Sequence, residues 1–218
     1  MIKKNAVILF GKYPRGGFVK TRLAKTIGDT KATDFYRTCL LGIFAEAIKL
    51  PAEYELFFYF AEEADAAAVR AMTPKRIITR PQIADGLPRR ITEAFAEVFE
   101  LGYEKVVIYS SDVPSLDARV FTRASDSLKK ASVVIGSDSD GGYYCLGMDA
   151  YYPELLDVEY GGDVGMFALT LQKAKQLDLT TTALQELNDV DTVEDLKNFK
   201  QNNLGTWQDK FAYLDPVE

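Results

Sequence analysis

Residues 10–23 read Phe10-Gly11-Lys12-Tyr13-Pro14-Arg15-Gly16-Gly17-Phe18-Val19-Lys20-Thr21-Arg22-Leu23 and continue an apolar run that begins at residue 6. The apolar run predicts a buried β-strand, and the segment from residue 22 onward predicts a helix. Residues 10–23 hold three glycines, which let a backbone turn tightly and approach a ligand closely, and four basic side chains. A helix start also presents unpaired N–H groups to an anion. The stretch therefore predicts a phosphate-binding loop, with a plain turn carrying solvated lysines as the alternative.

The loop matches neither of two familiar nucleotide-binding patterns. Gly11 and Gly16 have the spacing of a Walker A loop, but Gly17 stands where that loop needs its lysine. The dinucleotide pattern G-x-G-x-x-G also fails, because no two glycines of the loop are separated by one residue. We therefore expect the loop to hold a phosphate in another way.

The charge distribution and the composition limit the class of ligand and the kinds of catalytic or metal site that the chain can have. Residues 1–28 contain seven Lys or Arg and no Asp or Glu, although the whole chain of 218 residues has a formal net charge of −6. A basic segment on an acidic protein suits a local anionic ligand, whereas nucleic-acid binding needs an extended basic face. The chain contains no histidine, which excludes His-based triads, histidine metal sites and an imidazole base.

The remaining composition indicates a soluble cytoplasmic protein. No apolar run approaches the roughly 18 residues of a membrane span, and the N-terminus shows no signal-peptide pattern. Two cysteines, Cys39 and Cys145, are too few for a disulfide framework. We expect one domain at residues 1–203 and a C-terminal tail at 204–218. An open sheet edge would allow a homodimer.

Apolar strand patterns alternate with helical patterns along the chain. After the first strand, strands are predicted near 53–60, 76–80, 105–110, 132–136, 143–148 and 179–182. Helices are predicted near 22–49 with a break at Gly28-Asp29, and near 62–72, 88–101, 117–130, 163–176 and 192–201. This alternation predicts a mostly parallel α/β sheet, in which ligands bind at the carboxyl ends of the strands.

Acidic residues follow two of the predicted strands and precede the last predicted helix, which places them opposite the basic loop. Asp112 follows the strand at 105–110, Asp138 and Asp140 follow the strand at 132–136, and Asp189 and Asp191 precede the last helix. Oxygen ligands without histidine suit Mg²⁺ or Mn²⁺ shared with the phosphates of a ligand. The structural alternatives are a turn at Asp112-Val113-Pro114, solvated loop at Asp138, a hairpin turn at Asp140-Gly141-Gly142 and a helix cap at Asp191-Thr192-x-x-Asp195.

Four motifs in order resemble the nucleotide-diphospho-sugar transferase superfamily. They are F-G-K-x-P-x-x-G-x-V-K-T-R-L at 10–23, S-D-V-P at 111–114, D-G-G-Y-Y-x-L-G at 140–147 and D-V-D-T-x-E-D-L at 189–196. The closest resemblance is to the bacterial "transferase 1" family found beside radical-SAM and selenium-domain proteins. That family is similar to the 2-phospholactate and molybdenum cofactor guanylyltransferases. The resemblance spans about residues 5–200 and implies the GT-A fold, a mostly parallel mixed sheet with helices on both faces.

The resemblance also implies roles for individual residues. The first loop would wrap the phosphates of a nucleotide through Gly11, Lys12, Gly17, Lys20 and Arg22. Asp112 would be a ligand of Mg²⁺ or Mn²⁺, and either Asp189 or Asp191, with Asp191 preferred, would be the second. Gln82 would lie near the nucleobase, and Asp140, Gly141, Gly142 and Tyr143 would form the acceptor side.

Three functions remain open at the level of sequence. The first is nucleotidyl transfer from a nucleoside triphosphate to a phosphorylated small molecule, in which Lys20 and Arg22 stabilise the developing charge. The second is glycosyl transfer from a nucleotide sugar, with Asp140 as the candidate base for an alcohol acceptor. The third is a nucleotide-binding protein without catalysis.

Overall fold

The structure is a computed structural model that describes residues 4–61, 65–158 and 164–202 of the chain. Its strands are β1 (Asn5–Gly11), β2 (Tyr54–Phe60), β3 (Ile77–Pro81), β4 (Lys105–Ser110), β5 (Val133–Ser137), β6 (Tyr143–Met148) and β7 (Thr181–Ala183). Its helices are α1 (Thr21–Ile27), α2 (Asp29–Ala47), α3 (Ala66–Met72), α4 (Leu87–Glu100), α5 (Ala118–Ser127), α6 (Pro153–Leu156), α7 (Met166–Gln176) and α8 (Val193–Asn202). The predicted tail at 204–218 and the start of the predicted helix at 62–72 lie outside the described residues.

All these strands join one sheet in the order β3-β2-β1-β4-β6-β5-β7. β6 runs antiparallel to both of its neighbours, β4 and β5, while the other neighbouring pairs are parallel. The predicted α/β fold with a mostly parallel, mixed sheet is therefore confirmed.

Apolar side chains on both faces of the central strands explain the two helical layers. In β1, Val7 and Leu9 face a core that α2, α3 and α5 cover. Ile8 and Phe10 face a second core that α4, α6 and α7 cover. Because both faces are buried, the central strands read as continuous apolar runs rather than as alternating patterns. The prediction of helices on both faces is confirmed.

A third apolar cluster joins the two ends of the described chain. Leu23 of α1 and Phe35 of α2 pack with Val190, and with Leu196 and Phe199 of α8. This packing brings the segment around residue 191 next to the glycine-rich loop.

Most element boundaries agree with the predicted ones to within a few residues. The predicted break at Gly28 is present, with φ at 84° separating α1 from α2. The short helix α6 is an addition that the sequence pattern did not predict. Within the residues that the structure describes, no helix combines the length and apolar character needed to cross a membrane.

Candidate active site

A cleft of about 630 Å³ opens where the strands β1 to β5 end. Its walls bring together most of the predicted site residues, namely Gly11, Lys12, Lys20, Arg22, Gln82, Asp112, Gly142, Tyr143 and Asp191. Gly17, Asp140 and Gly141 do not line it. The position agrees with the rule that open α/β sheets bind ligands at the carboxyl ends of their strands.

Lys20 lies between two carboxylates at one end of this cleft. Its Nζ is 2.7 Å from Oδ1 of Asp112 and donates a hydrogen bond of 3.0 Å to Oδ1 of Asp191. Only 2% of the Lys20 side chain is exposed. Arg22 Nη1 approaches Asp191 Oδ2 at 3.6 Å from the solvent side. Three distant parts of the chain thus meet in one ionic cluster.

The surroundings of Lys20 keep its ammonium charged. Burial by itself lowers the pKa of Lys20, but the nearby charges of Asp112 and Asp191 more than offset burial, so the pKa is raised overall. The Lys20 backbone has φ 47° and ψ 43°, in the left-handed region that residues other than glycine seldom adopt. Such strain is retained where surrounding contacts hold it, often at functional sites.

A capping arrangement fixes the loop that carries Asp191. Asp195 Oδ2 accepts hydrogen bonds from the Thr192 amide and the Thr192 hydroxyl, both at 2.7 Å, and from the Asp191 amide at 3.1 Å. The Thr192 hydroxyl in turn accepts from the Asp195 amide at 3.2 Å. The predicted helix cap therefore applies to Thr192 and Asp195. Of the two carboxylates left open by the sequence, Asp191 is the one that contacts Lys20.

The Tyr36 hydroxyl connects the glycine-rich loop to the segment that carries Asp112. It accepts a hydrogen bond of 2.9 Å from the Lys12 amide and lies 2.8 Å from Ser111 Oγ. Burial raises the pKa of Tyr36, so this hydroxyl stays protonated. At Gly11, an added Cβ would lie only 2.2 Å from Ser111 Oγ. Sequence reasoning missed Tyr36 because it lies on α2 with no motif around it.

Gln82 lines the cleft and is held there by the backbone. Its Nε2 donates to the carbonyl oxygens of Gly11 at 3.0 Å and Tyr59 at 2.9 Å. Both amide protons are therefore engaged within the protein. Arg90 Nη1 donates to Gln82 Oε1 at 3.4 Å, and Arg90 Nε donates to the Ala84 carbonyl at 3.0 Å. Arg90 thus adds a cation to this wall that sequence reasoning did not single out.

The turn between β5 and β6 presents Asp138, rather than Asp140, to the cleft. Asp138 Oδ1 accepts hydrogen bonds from the Gly142 amide at 2.7 Å and from the Asp140 amide at 3.1 Å. Asp138 lines the cleft, whereas Asp140 is exposed and lies outside the lining. Asp140, Gly141 and Gly142 thus lie in the turn between β5 and β6, and Asp138 binds the backbone of that turn.

One family profile matches the chain over residues 45–161, and it is described as an uncharacterized protein conserved in bacteria, DUF2064. The chain belongs to this DUF2064 family. A search of curated proteins matched the DUF2064 chain to none of them.

Solved structures confirm the superfamily resemblance of the DUF2064 chain. A crystal structure from Desulfovibrio desulfuricans G20, provisionally described as a nucleotide-diphospho-sugar transferase, is 27% identical with a TM-score of 0.87, covering 95% of this chain and 91% of that one. The 4-diphosphocytidyl-2C-methyl-D-erythritol synthase of Anaerococcus prevotii DSM 20548 shares the fold at 12% identity and a TM-score of 0.59, covering 92% and 99%. Rv0371c of Mycobacterium tuberculosis H37Rv, in complex with manganese, shares it at 15% identity and a TM-score of 0.53, covering 92% and 100%.

The donor set of the DUF2064 chain suits a hard divalent cation. Asp112 and Asp191 direct carboxylate oxygens at a single position, since both lie within 3.0 Å of one nitrogen atom. Mg²⁺ is commonly bound by one or two carboxylates together with waters and substrate phosphates. Within the described ranges, no group of three or more Asp, Glu or Cys residues is arranged to hold a metal ion. The site therefore fits a metal that arrives with, or is completed by, a phosphate ligand.

Proposed function

We propose that the protein is a divalent-metal-dependent nucleotidyltransferase. It would transfer a nucleotidyl group from a nucleoside triphosphate to a phosphorylated small-molecule acceptor and release pyrophosphate. The observation that carries this proposal is the cluster of Lys20, Asp112 and Asp191 at the end of a cleft whose adjoining loop is basic. The fold is shared with a 4-diphosphocytidyl-2C-methyl-D-erythritol synthase, which supports the proposal.

The reaction needs little covalent chemistry from the protein. An acceptor phosphate oxygen attacks the α-phosphorus, a new P–O bond forms, and the bond from the α-phosphorus to the bridging oxygen breaks. Pyrophosphate leaves with that electron pair. Because a phosphate oxygen is already an anionic nucleophile, no histidine or other general base is needed. Catalysis then rests on positioning the reactants and on neutralising charge.

The ionic end of the cleft would perform this work. The exposed cations Lys12 and Arg22 would bind and orient the triphosphate, with backbone of the loop at Gly11 and Gly17 alongside. Lys20 would contact the phosphates in the transition state. Asp112 and Asp191 would hold Mg²⁺ or Mn²⁺, which when bound supplies positive charge for the leaving pyrophosphate.

Other walls of the cleft would hold the nucleobase and the acceptor. Gln82 and Arg90 would form the nucleobase side, where Arg90 keeps donor groups beyond its contacts with Ala84 and Gln82. Gly142 and Tyr143 would form the acceptor side, with Gly141 shaping the turn at φ 82°.

Glycosyl transfer from a nucleotide sugar is the second candidate. The description of the Desulfovibrio protein, at 27% identity, favours it. An inverting reaction on an alcohol acceptor would need a general base. The predicted base, Asp140, is exposed and outside the cleft lining, which makes Asp138 the better-placed carboxylate.

One assay separates these functions. The protein is incubated with each nucleoside triphosphate, a panel of phosphorylated acceptors and Mg²⁺, and pyrophosphate is measured. We expect Asp112→Asn and Lys20→Ala each to lower turnover by about 10²-fold, the scale of losing one transition-state charge contact. Asp34→Asn, which removes an exposed carboxylate on α2, is the matched control.

The outcomes of this assay distinguish the candidate functions. Pyrophosphate release that depends on Asp112 supports nucleotidyl transfer. Transfer from nucleotide sugars without pyrophosphate supports the second candidate and contradicts the first. Nucleotide binding that neither Asp112→Ala nor a chelator changes, with no turnover, would mean that the protein only binds nucleotides. A thermal-shift screen with nucleotides, with and without Mg²⁺, identifies the ligand, because ligands specific for the native state raise its melting temperature.

A further inference from the structure

We propose that Lys20 competes with the divalent cation for Asp112 and Asp191, so that the metal binds well only when phosphate gives the Lys20 ammonium another partner. This inference rests on the metal site of the proposed function. It assigns Lys20 a second role, as an internal cation that couples metal binding to nucleotide binding.

The contacts of Lys20 distinguish it from the other cations of the loop. Among the described residues, Lys20 is the one charged residue in the buried class. Its Nζ is bound on two sides by carboxylates, at 2.7 Å to Asp112 and 3.0 Å to Asp191. Lys12, by contrast, is exposed and contacts a backbone carbonyl, while the side chain of Arg22 is 59% exposed. Lys12 and Arg22 are open to a phosphate, whereas Lys20 is already engaged.

A divalent cation held by Asp112 and Asp191 would lie beside the ammonium that both carboxylates now hold. Mg²⁺ requires oxygen ligands at about 2.0–2.1 Å in near-octahedral geometry. An ammonium within hydrogen-bonding distance of both oxygens would then face a second cation at short range, where like charges repel strongly. Binding of the ion to Asp112 and Asp191 is therefore disfavoured while Nζ keeps its present contacts.

A triphosphate would resolve this competition. Its oxygens would provide anionic partners for the displaced ammonium and further ligands for the metal. Lys12 and Arg22, which line the same cleft, would attract it there. Each ligand would then raise the affinity for the other by the same factor, because coupling between two binding sites is reciprocal.

The test measures binding of Mn²⁺ alone, without nucleotide, by electron paramagnetic resonance or calorimetry. Lys20→Met keeps an unbranched side chain, shorter by the terminal nitrogen, and removes its charge. We expect it to bind Mn²⁺ at least about tenfold more tightly than the wild type, because two partly buried carboxylates are left without their cation. Lys25→Met is the matched control: it removes the same charge from an exposed position on α1, outside the cleft lining. Its affinity should stay within about twofold, since exposed charges are screened by salt.

A second variant guards against misfolding. Lys20→Gly removes the ammonium from a position with φ 47°, a conformation that glycine adopts without strain. Circular dichroism melting establishes that each variant is folded, and tighter Mn²⁺ binding in either folded variant supports the inference. Binding that is equal to or weaker than that of the wild type in both variants, or absent from both, overturns it. The proposed nucleotidyl transfer is judged separately, by pyrophosphate release that depends on Asp112.

Discussion

The packing around Gly11 predicts that alanine at this position destabilises the fold. A Cβ at Gly11 would lie 2.2 Å from Ser111 Oγ, 3.0 Å from Ser111 Cβ and 2.9 Å from the Tyr36 hydroxyl. Ser111 and Tyr36 are only 1% and 2% exposed, so neither side chain can swing into solvent. Alanine at position 11 must therefore push both groups aside and disturb the 2.8 Å contact between them.

The expected magnitude follows from that displacement. Forcing extra volume into a packed core typically costs about 1–3 kcal/mol, and a lost hydrogen bond costs about 1 kcal/mol more. Backbone entropy acts in the opposite direction, since replacing a strand glycine with alanine gains about 0.5–1 kcal/mol. We expect Gly11→Ala to lower the free energy of unfolding by about 2 kcal/mol. For domains of this size the melting temperature falls by about 2–4 °C per kcal/mol.

Urea unfolding of a double-mutant cycle measures this effect. Ser111→Gly removes both the Oγ and the Cβ that the new methyl group would meet. In that background, Gly11→Ala should cost at least about 1 kcal/mol less than in the wild type, within the range of coupling energies between residues in contact. If Gly11→Ala stabilises the protein, or lowers the free energy of unfolding equally in both backgrounds, the packing argument is refuted. Gly11 would then matter only as part of the phosphate loop.

Two further substitutions test the contacts around the site and the fold. Tyr36→Phe leaves the Lys12 amide without its buried acceptor, and we expect urea unfolding to show a loss of about 1–3 kcal/mol. Asp117 caps α5, and burial alone would raise its pKa, but hydrogen bonds from Val120 and Arg119 lower it below 3.8. The ionised form therefore stabilises the fold above pH 3.8, and this contribution is lost as the pH falls through the lower, folded-state pKa. Asp117→Ala should cost about 1 kcal/mol at pH 7, and the difference should shrink toward zero in unfolding curves at acid pH; a constant difference would contradict it.

Sequence reasoning predicted those parts of the site that follow from strand ends. The apolar runs before Gly11 and before Asp112 identify two strands, and a parallel sheet brings their carboxyl ends to one edge. The order of the sheet, in which β6 lies between β4 and β5, depends on tertiary pairing and was not predicted. Likewise, the pattern could not show that both amide protons of Gln82 are used by backbone carbonyls.

The positions of side chains in turns were the hardest to predict from the sequence. Asp138 and Asp140 are two residues apart, and the motif contains only Asp140. Which carboxylate lines the cleft depends on the hydrogen bonds that close the turn onto Asp138 and on the positive φ of Gly141. The contact of Tyr36 with Ser111 spans 75 residues and depends on how α2 packs on the sheet, which no local pattern encodes.

The ionic cluster and the third apolar cluster depend on each other. Asp191 reaches Lys20 because Val190, the residue before it, is buried against α1 and α2 together with Leu196 and Phe199. A buried cation costs free energy unless it is paired, so Lys20 at its present depth requires the carboxylates that the sheet and α8 supply. Apolar burial provides the free energy that docks α8, since such burial is the main favourable term in folding. The glycine-rich loop alone would hold an exposed lysine. The loop becomes part of a cation site only because the fold places Asp112 and Asp191 next to it.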